Sequence, residues 1–168
     1  MRSMRQQEWE QISWFGPDDV PDWDKLDADL LVGIEWMAIR LQTRPVFTST
    51  YRSPEKQQDL IQKGLSTAQR SLHLDGKAGD VVFPGKPLED VYQAAIEAGF
   101  KGIGLYPETD SIHVDTRENP GTWSRIEGKY LALTAALDWI KKKRAAAIGL
   151  GLGLLFGGLA IAKKLRAD

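Results

Sequence analysis

The residues able to do hydrolytic chemistry sit in two short segments. Ser71-Leu-His73-Leu-Asp75-Gly76-Lys77-Ala78-Gly79-Asp80 supplies an imidazole and, seven residues later, a carboxylate. Asp110-Ser111-Ile112-His113 supplies a second imidazole, with a carboxylate three residues before it. These are the only two histidines in 168 residues. Two imidazoles and one carboxylate match a catalytic zinc site, which keeps an open position for water. His73 and Asp80 converge if the chain turns between them, and Gly76 is placed for that turn. Asp110 is then placed to reach a metal-bound water, take its proton and return it to the leaving amine. Either histidine alone would more often be structural. Both together, each beside a carboxylate, point to a single Zn2+ ion held by His73, Asp80 and His113.

The elements that must position these groups can be read around them. Residues 1–26 form a polar lead-in whose Trp9, Trp14, Phe15 and Trp23 pack onto the core. Leu30, Leu31, Ile34, Met37, Ala38 and Leu41 recur at helical spacing, which predicts a core helix over 28–43. Pro45 to Tyr51 reads as a strand. Ser53 is an N-cap with Pro54 at the first helical position, opening a short helix to about Lys63. Ala78 to Phe83 reads as a second strand and Pro87 to Ala98 as a helix. Lys101 to Tyr106 and Ser111 to Thr116 read as a hairpin. Asn119 to Thr122 is a turn, and a last helix is expected over 126–143. Helices mixed with short strands predict an α+β domain, a small antiparallel sheet with flanking helices.

Composition narrows the function. The 22 basic and 23 acidic residues nearly cancel, which gives no argument for nucleic acid. The chain has no cysteine, which excludes thiolate ligands, disulfides and a Cys nucleophile. Met1 to Glu10 carries no apolar run of the kind an N-terminal signal peptide needs. Ala145 to Ala162 is uncharged, flanked by Lys141-Lys142-Lys143-Arg144 and Lys163-Lys164-Leu165-Arg166. As a helix it would span about 27 Å, close to the apolar thickness of a bilayer. Ala145, Gly149, Gly153 and Gly157 form a small-residue ridge of the kind through which membrane helices self-associate. The expected division is therefore a lead-in (1–26), a catalytic domain (27–144) and a C-terminal apolar helix (145–168) that meets the membrane through 145–162.

At the chemical residues the sequence resembles a known family. Ser71-x-His73-x-x-Gly76-x-Ala78-x-Asp80, followed by Asp110-x-x-His113-Val114-Asp115, is similar to the zinc D-Ala-D-Ala carboxypeptidase family of peptidoglycan peptidases. That family includes phage endolysins and shares its fold with the hedgehog domain. Thr50-Tyr51-Arg52-Ser53-Pro54, Gly102-Ile103-Gly104-Leu105-Tyr106 and Trp123 resemble further segments of it. The resemblance implies His73, Asp80 and His113 as zinc ligands and Asp110 as general base, where many relatives have Glu. It implies Arg52 as the clamp on the substrate carboxylate or carbonyl, with a surface salt bridge as the alternative. Ser71 either donates to substrate or caps local backbone. Tyr106 either lines the cleft or packs across strands. Asp115 shares a strand face with His113, as an orienting group or simply as a polar strand end.

The function implied is a zinc peptidase of peptidoglycan stem peptides, acting in phage lysis. Such a protein would be made in the host cytoplasm, held at the membrane by its tail, and would act on the cell wall. Two rivals stand beside it. One is a non-catalytic, metal-stabilised wall-binding module. The other is a membrane-active protein whose tail is the effector.

Overall fold

The structure, a computed structural model, describes Arg2, Met4 and residues 6–66, 68–143 and 145–146. The chain divides into two compact units, Met1–Ala136 and Leu137–Asp168. The first is an α+β unit. Its elements are α1 (Gln6–Trp9), α2 (Ala28–Leu41), β1 (Val46–Ser49), α3 (Pro54–Gln62), β2 (Ala78–Val82), α4 (Leu88–Glu97), β3 (Gly102–Tyr106), β4 (Ser111–Asp115), β5 (Gly121–Ile126) and β6 (Lys129–Leu131). Residues 133–143 are helical.

Helix α2 forms because its apolar residues recur on one stripe and its start is capped: the Asp27 side chain accepts from Asp29 N. Leu30, Leu31, Ile34, Met37 and Ala38 are fully buried. The buried Glu35 carboxylate accepts from the backbone N–H groups of Ser13 (2.7 Å) and Trp14 (3.2 Å) and so ties the lead-in to this helix. Trp9 packs edge-on against Phe15 and Trp23, and Phe15 meets Phe47 of β1. In α3, Ser53 accepts from Lys56 N with Pro54 in the first turn, as the sequence predicts.

The six strands lie in the order β1-β2-β4-β3-β5-β6. The sheet is mixed, not wholly antiparallel as the sequence suggested, because β3 and β5 run parallel. Alternation gives it two faces. Val81, Ile103, Leu105, Ile112 and Val114 are buried on the helix side, where an added Cβ at Gly79 would stand 3.6 Å from Ile34. Asp80, His113, Gly104 and Tyr106 point the other way. The register aligns Ser49, Asp80, His113, Gly104 and Trp123 in one row across five strands.

Two further expectations are corrected. The helix expected over 126–143 starts at 133, because Arg125, Ile126, Lys129 and Tyr130 pair as a hairpin. Its turn is Glu127-Gly128, both at positive φ (50° and 76°), the geometry whose twist suits a two-residue hairpin. The second correction concerns the membrane. No helix among the described residues is long and apolar enough to cross one, so the membrane-anchored location is withdrawn. From residue 147 on, the apolar tail lies outside the described residues, and with it Gly149, Gly153 and Gly157 of the ridge that begins at Ala145.

Gly33 of α2 lies against the buried Phe100 ring, where a Cβ would stand 2.5 Å from it. Alanine gains about 1 kcal/mol of helix propensity, but forcing a packed ring aside costs about 1–3 kcal/mol. Gly33→Ala is therefore expected to lower the unfolding free energy in urea by up to about 2 kcal/mol. A stabilised variant would show that this contact has room to relax.

Candidate metal centre

Register builds the centre. Asp80 of β2 is the direct cross-strand partner of His113 in β4, so the two side chains share a face. His113 Nδ1 lies 2.9 Å from Asp80 Oδ1. His73 arrives from a different place, the run of tight turns between Ser71 and Lys77, closed by Leu74 N to Ser71 O (3.0 Å) and Lys77 N to Leu72 O (2.9 Å). Gly76 takes φ 64° there. Arg52 N donates to His73 O (3.0 Å), pinning this loop beside the end of β1.

His73 Nε2 is 3.3 Å from His113 Nδ1 and 3.4 Å from Asp80 Oδ1. The three atoms thus form a triangle with edges of 2.9–3.4 Å. Three ligands of a tetrahedral zinc at about 2.0–2.1 Å stand about 3.3–3.4 Å apart, close to that triangle.

The outer hydrogen bonds decide which atoms face inward. His73 Nδ1 lies 2.6 Å from the Thr50 carbonyl, which only accepts, so Nδ1 carries the proton and Nε2 presents its lone pair. His113 Nε2 lies 2.9 Å from Asp115 Oδ2. Asp115 is fully buried and gripped by Arg117, with Nε on Oδ1 (2.8 Å) and Nη2 on Oδ2 (2.6 Å). Burial works to raise the Asp115 carboxyl, but the bonds from His113 and Arg117 hold it well below the ordinary range. His113 Nε2 therefore donates, and Nδ1 faces the centre. Two imidazole nitrogens and a carboxylate oxygen converge as acceptors, an arrangement that a cation between them relieves. Imidazoles oriented by a carbonyl and a carboxylate behind them are the usual support of such ligands.

The charges follow this geometry. Burial opposes the ionised Asp80, yet the His113 and His73 imidazoles beside it hold its carboxyl far below its ordinary value. Burial likewise opposes a charged His113, but Asp115 and Asp80 raise its affinity for a proton. Arg52 Nη2 donates to Asp80 Oδ2 (2.6 Å), leaving Oδ1 for the centre. Its Nε donates to Ser49 Oγ (3.0 Å) and its Nη1 to Gln57 Oε1 (3.4 Å). Arg52 is thus not a surface ion pair: it is largely buried against Asp80 and lines both clefts.

Two clefts meet over the centre. One, of about 330 Å³, is floored by the buried His73 and His113, with Ser71, Arg117 and Trp123 on its walls. The other, of about 190 Å³, exposes Asp80, with Glu108 and Arg125. Arg52, Tyr106 and Tyr130 line both. Burial, then the charge of Asp80, push the Tyr106 hydroxyl above its ordinary value, so it stays a donor. Asp110 is exposed, in left-handed backbone (φ 52°) at the β3–β4 turn, and lines neither cleft.

Reasoning from sequence missed Arg117, Gln57, Arg125 and Tyr130. Arg117 repeats the alternation of His113 and Asp115 and was legible by it. The glycines of β3 make the room: a Cβ at Gly104 would stand 2.5 Å from the Trp123 indole, and one at Gly102 would fall 2.0 Å from Asp115 Oδ1. Trp123 and His113 thereby approach to 5.0 Å between ring centroids.

Comparison with known proteins bears on this site. The family described as peptidoglycan L,D-endopeptidase MepK matches residues 15–121. The chain is 32% identical over 68 residues to peptidoglycan L,D-endopeptidase MepK of Escherichia coli (strain K12), covering 40% of this chain and 37% of that protein. It is 36% identical over 66 residues to the probable peptidoglycan L,D-endopeptidase MepK of Haemophilus influenzae, covering 39% and 36%. The chain thus spans little more than a third of the length of the curated relatives it matches. The crystal structure of the Serratia marcescens L-Ala D-Glu endopeptidase ChiX overlaps 55% of this chain and 81% of that chain, with 22% identity and a TM-score of 0.43.

Loss of an outer partner of a metal ligand weakens binding by about 10–100-fold. Asp115→Asn should weaken zinc by that factor in competition with a chromophoric chelator, and Asp80→Ala should weaken it more. Unchanged affinity in Asp115→Asn would show that Asp115 does not orient His113.

Proposed function

The chain belongs to the peptidoglycan L,D-endopeptidase MepK family, and we propose that it is a zinc-dependent peptidase of peptidoglycan stem peptides, with residues 27–144 as its catalytic domain. The observation that carries this reading is the inward-facing triangle of His73, Asp80 and His113, open to clefts on the sheet face away from the helices. Zinc held there would supply Lewis acidity toward the scissile carbonyl and a bound water of lowered pKa.

The protein's own groups do the rest. Arg52 fixes Asp80 and presents its remaining donor capacity to both clefts, where a peptide carbonyl accepts. Tyr106, kept protonated, is a second donor on the shared wall. The Trp123 indole, tilted against the His113 ring, gives an aromatic wall for the peptide, and Ser71 edges the first cleft. Asp110 takes the proton from the attacking water and delivers it to the leaving amine. Its support is the spacing to His113 and the family resemblance, and the role requires its carboxylate to turn in from the β3–β4 turn. The relatives are named as L,D-endopeptidases, so an internal L,D bond of the stem is the proposed target. A phage-lysis setting rests on the motif resemblance alone; the relatives named above are bacterial.

One observation favours the rival binding module: Asp110 lies outside both clefts, and a structural metal needs no base. Digestion of purified peptidoglycan by the full chain with zinc, read by mass spectrometry, decides between them. Cleavage is expected to be abolished by a chelator and restored by zinc. Asp110→Ala should lower the rate by about 100-fold or more, the contribution of a positioned acid–base group. Loss of activity in Glu108→Gln instead would move the proton role to Glu108. Bound zinc with no cleavage of any wall would establish the binding module.

A further inference from the structure

The family match ends at residue 121, where β5 begins. The β5–β6 hairpin beyond it nevertheless builds part of the cleft. Along β5, Ser124 and Ile126 are buried on one face, while Trp123 and Arg125 point to the other, each onto a cleft wall. Tyr130 of β6 is the direct cross-strand partner of Arg125 and lines both clefts.

Arg125 differs from the other cleft arginines that carry the site. Arg52 is paired with Asp80 and Arg117 with Asp115. Arg125 pairs with no carboxylate among the described residues. Its Nε is buried and without a hydrogen-bond partner. Glu108, the acid on the same wall, instead accepts from Glu127 N (3.1 Å). A half-buried guanidinium that has given up water without gaining an acid is left short of both charge and acceptors. A carboxylate is the ligand whose two oxygens match its fork and supply both.

We propose that Arg125, with Tyr130 beside it, reads a free carboxylate of the bound peptide, making the second cleft the one that takes the acidic part of the stem. The proposal rests on the peptidase reading for the identity of the peptide. A free carboxylate of the peptide and its carboxamide differ in charge. Acid and amide are nearly the same shape, so Arg125 would separate them by charge alone. The hairpin would then act as a specificity arm on the family's centre.

The test compares a synthetic stem peptide with versions amidated at each free carboxylate in turn, using the full chain with zinc added. Wild type is expected to prefer the acid over one of the amides by about 10–100-fold in kcat/KM, carried in KM, as a charge-assisted hydrogen bond allows. In Arg125→Gln that ratio falls to about one, and Arg125→Lys restores part of it. A variant damaged in structure would lose activity on both peptides and keep the ratio, which would overturn the proposal. So would a wild type that does not discriminate at any position. Calorimetric binding of the same peptides separates the two readings. If wild type cleaves none of them, the peptidase reading fails. An acid-over-amide binding preference that Arg125→Gln abolishes would still support the carboxylate site, and its absence would overturn it.

Discussion

The contact between Asp80 and His113 is the one on which the rest of the site depends, and it is a matter of strand register. Side chains alternate along a strand, so a one-residue slip of β2 against β4 would send Asp80 to the helix side while His113 stayed on the cleft side. The register is held by the buried face beneath. Val81 lies opposite Ile112, and Gly79 opposite Val114; all four are buried, with Gly79 against α2. The apolar pattern that drives folding therefore also sets the alignment that the chemistry needs. The same row continues through Gly104 to Trp123. One line of cross-strand neighbours thus carries a candidate ligand pair, the gap beside it and an aromatic wall.

The gap matters as much as the groups. A sheet face normally fills with side chains, and a filled face has no cleft. At Gly102 and Gly104 the sheet leaves out two Cβ atoms, and the space is taken by Asp115 and the Trp123 indole, which lean over β3 from its two neighbours. Asp115 is thereby buried directly behind His113, where it can accept from Nε2. Trp123 closes against the imidazole and is covered in turn by the Arg117 guanidinium, 5.0 Å from the ring. Glycine in the middle of a strand weakens it. Here the weakness is offset by the neighbours that occupy its place.

Much of the fold and the centre was legible in the sequence for reasons of this kind. The periodicity of Leu30 to Leu41, the Ser53-Pro54 helix start and the β2, β3 and β4 strands are local patterns, and each formed where local physics put it. The two imidazoles could be read because the chain has only two histidines, and Asp80 by its spacing from His73. What could not be read was non-local. Nothing in Gly121 to Ile126 announces that it will pair in parallel with β3, because that pairing depends on strand order and not on local preference. The helical spacing of Ile126, Tyr130 and Leu133 fits a helix as well as a hairpin, and the turn that decides it uses a glutamate at positive φ, which residue type alone disfavours. Arg52 was legible as a cleft residue. Its partner was not, since the pairing with Asp80 spans 28 positions in the chain.

These side chains form one linked set of charges. Read across the site, Arg117 holds Asp115, Asp115 holds His113, His113 meets Asp80, and Asp80 is held by Arg52. Each carboxylate is flanked by an arginine on one side and an imidazole on the other, so burial of the anions is compensated without any of them being neutralised by a proton. Such buried networks contribute little net stability, but breaking one member is costly because it strands the charge of its neighbour. What the arrangement secures is direction. With both arginines fixed outside, lone pairs of His73, Asp80 and His113 point inward to a common point. The basicity of that point is set by residues that never touch it. Arg52 draws on one oxygen of Asp80, and Asp115 lends electron density through His113. The centre is therefore tuned as well as shaped by its surroundings. Along the chain Arg117–Asp115–His113–Asp80–Arg52, His113 and Asp80 are legible from residue type and spacing, Arg52 from the family resemblance, and Asp115 and Arg117 from their alternation with His113. The contacts that link them, Arg117 on Asp115 and Arg52 on Asp80, become visible only in the structure.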